Sequence, residues 1–252
     1  MIMLGFLGLA VGSFLNVGID RIPRGQSLIR PPSRCDHCHH RLGIVDLVPV
    51  LSYVWLRGKC RYCGTGIPLR LPMVELASGA IFTFIGYKYG VSPETGILLL
   101  YSSILILIFF IDLYNGLILN KLIYPSILFA LALSPFWSGL GVEGATDRLL
   151  NSLLGGGISF GILLVIYLLS RGGMGGGDVK LAVFLGLITG YPVIFVTLLI
   201  SFLAGGMMAS ALLLMRVKRV HQAIPFGPFM ATSALAALFW GQRISDWYWG
   251  LF

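Results

Sequence analysis

The run Leu149-Leu150-Asn151-Ser152-Leu153-Leu154-Gly155-Gly156-Gly157-Ile158-Ser159-Phe160-Gly161-Ile162-Leu163-Leu164-Val165-Ile166-Tyr167-Leu168-Leu169 contains no Asp, Glu, Lys, Arg or His. As a helix it would cover about 30 Å, the thickness of a bilayer's hydrocarbon core. A soluble domain cannot bury such a helix on every side, and the pattern repeats along the chain. Apolar runs cover residues 1–19, 72–89, 95–111, 118–137, 179–215 and 229–240. The run 179–215 is too long for one helix and long enough for two. Its turn is expected at Gly190-Tyr191-Pro192, with Gly205-Gly206 as the other candidate. The 252 residues are 57% hydrophobic and 11% charged, with a mean hydropathy of +0.89. The fold class read from this is an all-α polytopic membrane protein with about eight transmembrane helices. Residues 1–19 lack a basic start and carry Ser13 and Asn16 late in the run, so they read as the first span, not a signal peptide. Residues 20–71 then form a polar loop domain, and residues 72–252 the remaining membrane domain.

Basic residues test this count, because they collect on the cytoplasmic side. Residues 20–71 hold nine: Arg21, Arg24, Arg30, Arg34, Arg41, Arg57, Lys59, Arg61 and Arg70. Lys121, Arg171, Lys180, Arg216, Lys218 and Arg219 fall on the same face, and only Lys88, Arg148 and Arg243 fall opposite. The N-terminus is therefore expected outside and the long loop in the cytoplasm. The formal charge of +8 is accounted for by orientation and affinity for anionic membrane lipid, with no nucleic acid implied.

All four cysteines lie in that loop, as Cys35-Asp36-His37-Cys38 and Cys60-Arg61-Tyr62-Cys63, with 21 residues between the pairs. Two such turns can deliver four thiolates to one tetrahedral zinc, a structural site with no open position for water. Disulfides or redox-active turns are the other chemistry of this spacing; a cytoplasmic position disfavours the first, and no thioredoxin-like pattern surrounds either pair. His37, His39 and His40 read as solvated loop residues. The apolar stretch from Val48 to Leu56 reads either as a segment lying on the membrane surface or as packing for the zinc knuckle.

Two carboxylates stand out against the apolar spans. Asp112 closes the run 95–111, and Asp178 follows Gly172-Gly173-Met174-Gly175-Gly176-Gly177. A carboxylate at the edge of hydrocarbon needs water, a partner or a shared proton. Both fall at the cytoplasmic boundary, which suits the acid pair of an aspartic protease: one ionised to activate water, one protonated to donate to the scissile carbonyl. Gly175 and Gly177 would let an extended substrate approach Asp178. Taken singly, Asp112 also reads as a solvated helix end and Asp178 as an N-cap. Lys180 is expected on another helix face, and Glu75 as a partner for loop arginines.

An ordered set of motifs runs through most of the chain: Gly12-Ser13-Phe14-Leu15-Asn16-Val17, Pro32 to Cys38, Leu56 to Cys63, Pro72-Met73-Val74-Glu75-Leu76, Ile111-Asp112-Leu113, Gly173 to Leu181, and Ile224-Pro225-Phe226-Gly227-Pro228-Phe229. In these residues the chain resembles the bacterial type IV prepilin peptidases. The resemblance implies a multi-pass protein of the bacterial inner membrane, with its active site facing the cytoplasm. It would cut the basic leader from type IV prepilins and pseudopilins and N-methylate the new terminus with S-adenosylmethionine. By position it implies Asp112 and Asp178 as catalytic, and Cys35, Cys38, Cys60 and Cys63 as zinc ligands. Leu119 stands where the family has a proline after its first aspartate, and Asp36-His37 where a proline is common; neither change touches a reacting group.

Two other functions fit parts of the pattern. A general intramembrane protease would carry its aspartates deep in the bilayer. A non-enzymatic transporter or receptor would use the carboxylates for a cation or proton and the zinc knuckle for a partner.

Overall fold

The computed structural model describes residues 2–170, 173–215 and 225–250. Gly172, Ile224 and four of the inward basic residues (Arg171, Arg216, Lys218 and Arg219) lie outside the described residues. The helices are α1 (Ile2–Arg21), α2 (Leu51–Trp55), α3 (Arg70–Tyr89), α4 (Pro93–Asn115), α5 (Asn120–Leu133), α6 (Ala145–Leu169), α7 (Gly176–Thr189), α8 (Val193–Leu214) and α9 (Gly227–Trp249). Among the described residues there is no strand beyond two isolated bridges, Arg34 with Arg41 and Lys59 with Gly66. Four helices, α1, α4, α6 and α8, are long and apolar enough to cross a membrane. The chain divides into two compact units, Met1–Leu107 and Ile108–Phe252.

In the first unit α1 lies against α3 at a seam of small residues. A Cβ on Gly8 would stand 2.6 Å from the Ser78 carbonyl oxygen, and one on Gly12 would stand 2.7 Å from the Glu75 Cα. Glycine there brings the two backbones together, as helices do where lipid offers no hydrophobic drive to associate. Asn16 donates to the Leu71 carbonyl (3.0 Å), and Arg70 pairs with Asp20 (2.7 Å). Together these close the two ends of the polar loop.

The second unit repeats the device. Gly155 of α6 meets Gly186 of α7 backbone to backbone. Ser152 and Ser159 donate to the carbonyls of Leu187 and Ala182, both at 2.8 Å. Trp137 donates its indole N–H to the Ile188 carbonyl (3.0 Å). The outer face of α6 keeps Leu150, Leu153, Leu154, Leu168 and Leu169 exposed, which suits lipid.

The break in the run 179–215 falls at Gly190-Tyr191-Pro192, between α7 and α8. Gly190 adopts φ +68°. Buried Asn151 clamps the turn: it donates to the carbonyls of Tyr191 (2.9 Å) and Leu140 (3.2 Å) and accepts the Tyr191 N–H (2.6 Å). Gly205 and Gly206 lie inside α8. The run expected over 118–137 ends as α-helix at Leu133, ahead of Ser134-Pro135, whose ring cannot accept another α turn. Helix α9 continues to Trp249, past the apolar run's end at Trp240, because no proline follows and Gly241 stays helical.

Asn151→Leu should leave those turn groups without partners at about 1–3 kcal/mol each. A clearly lower thermal midpoint in detergent is expected; an unchanged midpoint would show that the turn holds without the clamp.

Candidate active site and candidate metal centre

The loop brings its four cysteines together through two turns of the same design. In the first, Cys35 N–H donates to the His40 carbonyl and His39 N–H to the Cys35 carbonyl; in the second, Cys60 N–H donates to the Thr65 carbonyl and Gly64 N–H to the Cys60 carbonyl. Each turn needs a residue of positive φ directly after its second cysteine, His39 at +56° and Gly64 at +72°. The four sulfurs lie within 4.8 Å of one another, and all are free thiols. Cys35 Sγ and Cys63 Sγ are 3.8 Å apart. That matches the edge of a tetrahedron with metal–sulfur bonds of about 2.3 Å, so the donor set fits zinc.

The thiols differ in acidity. The Thr65 hydroxyl and backbone N–H hold Cys63 down to about 6. At Cys38 the His40 backbone N–H pulls downward but is outweighed by desolvation and the sulfurs of Cys63 and Cys35, leaving it at about 11. Around the cluster, Asp46 pairs with Arg61 (2.8 Å) and accepts the Gly43 N–H (3.1 Å). The His40 ring packs on Tyr62, with centroids 3.7 Å apart. Glu75 takes a different partner from the one expected. It accepts the Val50 N–H (2.7 Å), while the loop's ion pairs use Asp20 and Asp46.

Asp112 and Asp178 belong to the second unit. Asp112 sits in the last turn of α4 and is 4% exposed; Asp178 is 9% exposed. Their charges interact. Asp112 Oδ2 accepts the Gly227 N–H (2.9 Å), the first N–H of α9, where the helix dipole favours an anion. Neither is a bare helix cap. Asp112 is buried, and the N-cap of α7 is Gly175, with Asp178 inside the first turn. The Asp178 N–H donates to the Gly175 carbonyl (3.1 Å), and a Cβ on Gly175 would stand 3.3 Å from Asp178 Oδ2. A Cβ on Gly177 would stand 2.9 Å from Ile118 Cβ, so this glycine also serves packing. Lys180 turns to Asn120 (2.9 Å) and over the Tyr124 ring, on the separate face its spacing implied.

Sequence reasoning passed over Gly227 as a functional residue. A Cβ there would stand 2.6 Å from Asp112 Oδ2. The available signal was Gly227-Pro228 opening an apolar run, a helix start with a free N–H.

Comparison with known proteins covers most of the chain. Residues 6–89 match the bacterial peptidase A24 N-terminal domain, and residues 99–210 match the type IV leader peptidase family. The prepilin leader peptidase/N-methyltransferase of Stutzerimonas stutzeri is 32% identical over 96% of this chain and 91% of its own. This chain belongs to the type IV leader peptidase family. The prepilin leader peptidase/N-methyltransferases of Bacillus subtilis and Pseudomonas aeruginosa are similar at 31% and 30% identity, over 98% and 96% of this chain and 96% and 91% of their own. No solved structure matches. Both aspartates of this family member lie within the residues matched to the leader peptidase family, and its four cysteines within those matched to the N-terminal domain.

Metal-stripped, reduced protein should bind one thiophilic divalent ion per chain, with affinity rising with pH through neutrality. Cys38 must lose a proton to bind, whereas Cys63 has already lost its own above about pH 6. Competition with a chromophoric chelator measures this. Cys60→Ser, at the one buried sulfur, should weaken binding by at least about tenfold.

Proposed function

We propose that this protein is a membrane aspartic endopeptidase that removes the leader peptide from type IV prepilins and pseudopilins and then N-methylates the exposed amino terminus. The observation that carries the reading is the carboxylate pair: Asp112 and Asp178 are both buried and their charges interact, Asp112 is oriented by the Gly227 N–H, and Asp178 sits in the first turn of α7 beside Gly175. The prepilin leader peptidase/N-methyltransferases similar to this chain over nearly its whole length support both activities. The N–H from Gly227 fixes Asp112 Oδ2 and leaves Oδ1 for water or substrate. One carboxylate, ionised, takes a proton from water as its oxygen attacks the scissile carbonyl carbon. The other, protonated, donates to the carbonyl oxygen. Collapse of the tetrahedral adduct breaks the C–N bond, and the leaving amine takes a proton from the pair. Gly175, beside Asp178 Oδ2, keeps the approach to that acid open for an extended peptide, whereas Gly177 lets Ile118 pack against the start of α7.

In this reading all eight long helices cross the bacterial inner membrane, residues 20–71 form a cytoplasmic zinc-binding loop domain between the first two, and residues 72–252 form the peptidase domain. Cys35, Cys38, Cys60 and Cys63 hold a structural zinc, which ties the two loop turns together. S-adenosylmethionine is the methyl-donor substrate. Among the described residues there is no strand-to-helix glycine turn of the dinucleotide-binding kind, so no residue is assigned to it. Methylation must follow cleavage, because the acceptor amine does not exist before it. A transporter or receptor reading gains nothing from the comparisons, whose relatives carry the name prepilin leader peptidase/N-methyltransferase.

Asp112→Asn and Asp178→Asn should each lower leader cleavage of a co-reconstituted prepilin by at least about a thousandfold while keeping fold and metal. Substantial cleavage by either variant would remove that residue from the pair. Gly227→Ala should lower turnover by about ten- to a hundredfold, because its Cβ pushes Asp112 aside. Wild-type turnover in that variant would show that the Asp112 orientation is not required.

A further inference from the structure

The loop between α1 and α3 exposes a band of large apolar side chains that neither the carboxylate pair nor the cysteine cluster uses. Ile44 is 88% exposed, Trp55 85% and Val54 67%, with Val45 and Leu51 also exposed. Leu51, Val54 and Trp55 stand at i, i+3 and i+4 of α2, so they share one face. The 3₁₀ turn bearing Ile44 and Val45 packs beside that helix. The opposite side of α2 is engaged: the Tyr53 ring covers Gly58, where a Cβ would stand 2.8 Å from its hydroxyl. The outward orientation of the apolar side chains is therefore fixed by the fold, and a contiguous apolar face of this kind marks a contact surface.

We infer that this face is a membrane-docking surface, which inserts Leu51, Val54 and Trp55 into the headgroup boundary of an anionic lipid leaflet. Three observations select lipid over a protein partner. The segment is tethered, because it follows α1, a helix able to cross the membrane, and is clasped back to it by Asp20–Arg70 and Asn16–Leu71. The charge is complementary. Residues 20–71 carry nine Arg and Lys against three Asp, and among the described residues only Arg61 and Arg70 of the nine form ion pairs. Exposed Arg41, Arg57 and Lys59 flank the apolar band, an arrangement that anionic headgroups attract and that a basic leader peptide would be repelled by. The shape is a ridge of one helical turn led by a tryptophan, which enters an interface without enclosing anything. Docking would hold the cysteine cluster at the bilayer surface. The inference rests on α1 crossing the membrane and is independent of the peptidase chemistry.

The test uses the full chain in nanodiscs containing phosphatidylglycerol, with and without lipid brominated close to the headgroup. The difference in emission between wild type and Trp55→Phe isolates Trp55, and metal content confirms that both are folded. Trp55 is expected to be quenched severalfold more by brominated lipid than by aqueous iodide, and less so by lipid when the discs are purely zwitterionic. Access to iodide without quenching by lipid would place the face in water and overturn the inference. Protection from both quenchers would show a protein cover, such as a second copy of the chain, and overturn it equally. Leu51→Gln combined with Val54→Gln should keep the metal and move Trp55 towards iodide. Unchanged lipid quenching in that variant would show that the helix face is not what docks.

Discussion

A carboxylate near the end of an apolar helix must be given hydrogen-bond donors before anything can be built around it, and here the donor is the Gly227 N–H at 2.9 Å from Asp112 Oδ2. Much of the second unit follows from that contact. It requires the start of α9 at the end of α4, and it requires glycine at 227, since a Cβ would stand 2.6 Å from the oxygen. It also places a helix N-terminus, with its unsatisfied N–H groups, beside the acid. Asp178 reaches the same place through α7, whose position is set by the glycine contact with α6 and by side-chain bonds from Ser152, Ser159 and Trp137 to its carbonyls. A methyl group added at Gly155 or Gly186 would push α7 outward and carry one acid away from the other.

What could be read from the amino acids alone was what apolar length and residue spacing encode. The long helices follow the apolar runs, and the break at 190–192 was legible because glycine and proline coincide there. Gly205-Gly206, the less favoured candidate, lies inside α8. Without a proline, two glycines in an apolar helix stay helical, because leaving the helix would strand backbone groups where no water can serve them. The cysteine cluster was legible because a CxxC pair predetermines a turn, and two turns are enough for one centre.

Contacts whose second partner is a backbone group were not legible. Asp112 and Gly227 are 115 positions apart, and a backbone N–H has no letter in the sequence. Glu75 shows the same limit. Counting charges assigned it to an arginine, whereas it accepts the N–H of Val50, a β-branched residue at φ +61°. That conformation is costly for valine, and nothing in the sequence announces it. The strained residue opens α2, so the Glu75 contact helps fix how that helix presents its apolar face.

The loop and the helical seams draw on different sources of stability, and magnitudes separate them. Between Ile22 and Leu69 the only described buried residue is Cys60, so apolar burial can contribute little to holding some fifty residues in place. Four thiolates closing on one metal contribute about 10–16 kcal/mol in small zinc folds, so a metal held by this cluster would supply far more than the two exposed turns could by themselves. The clasp at the loop's ends, Asp20–Arg70 and Asn16–Leu71, and the Glu75–Val50 contact add at most a few kcal/mol. The α6–α7 seam needs no metal, since its stability lies in close backbone approach and in serine and asparagine bonds between buried groups. With a metal bound, order in the loop would thus be tied to the cysteines, while the geometry of the two aspartates is tied to glycine seams in the other unit.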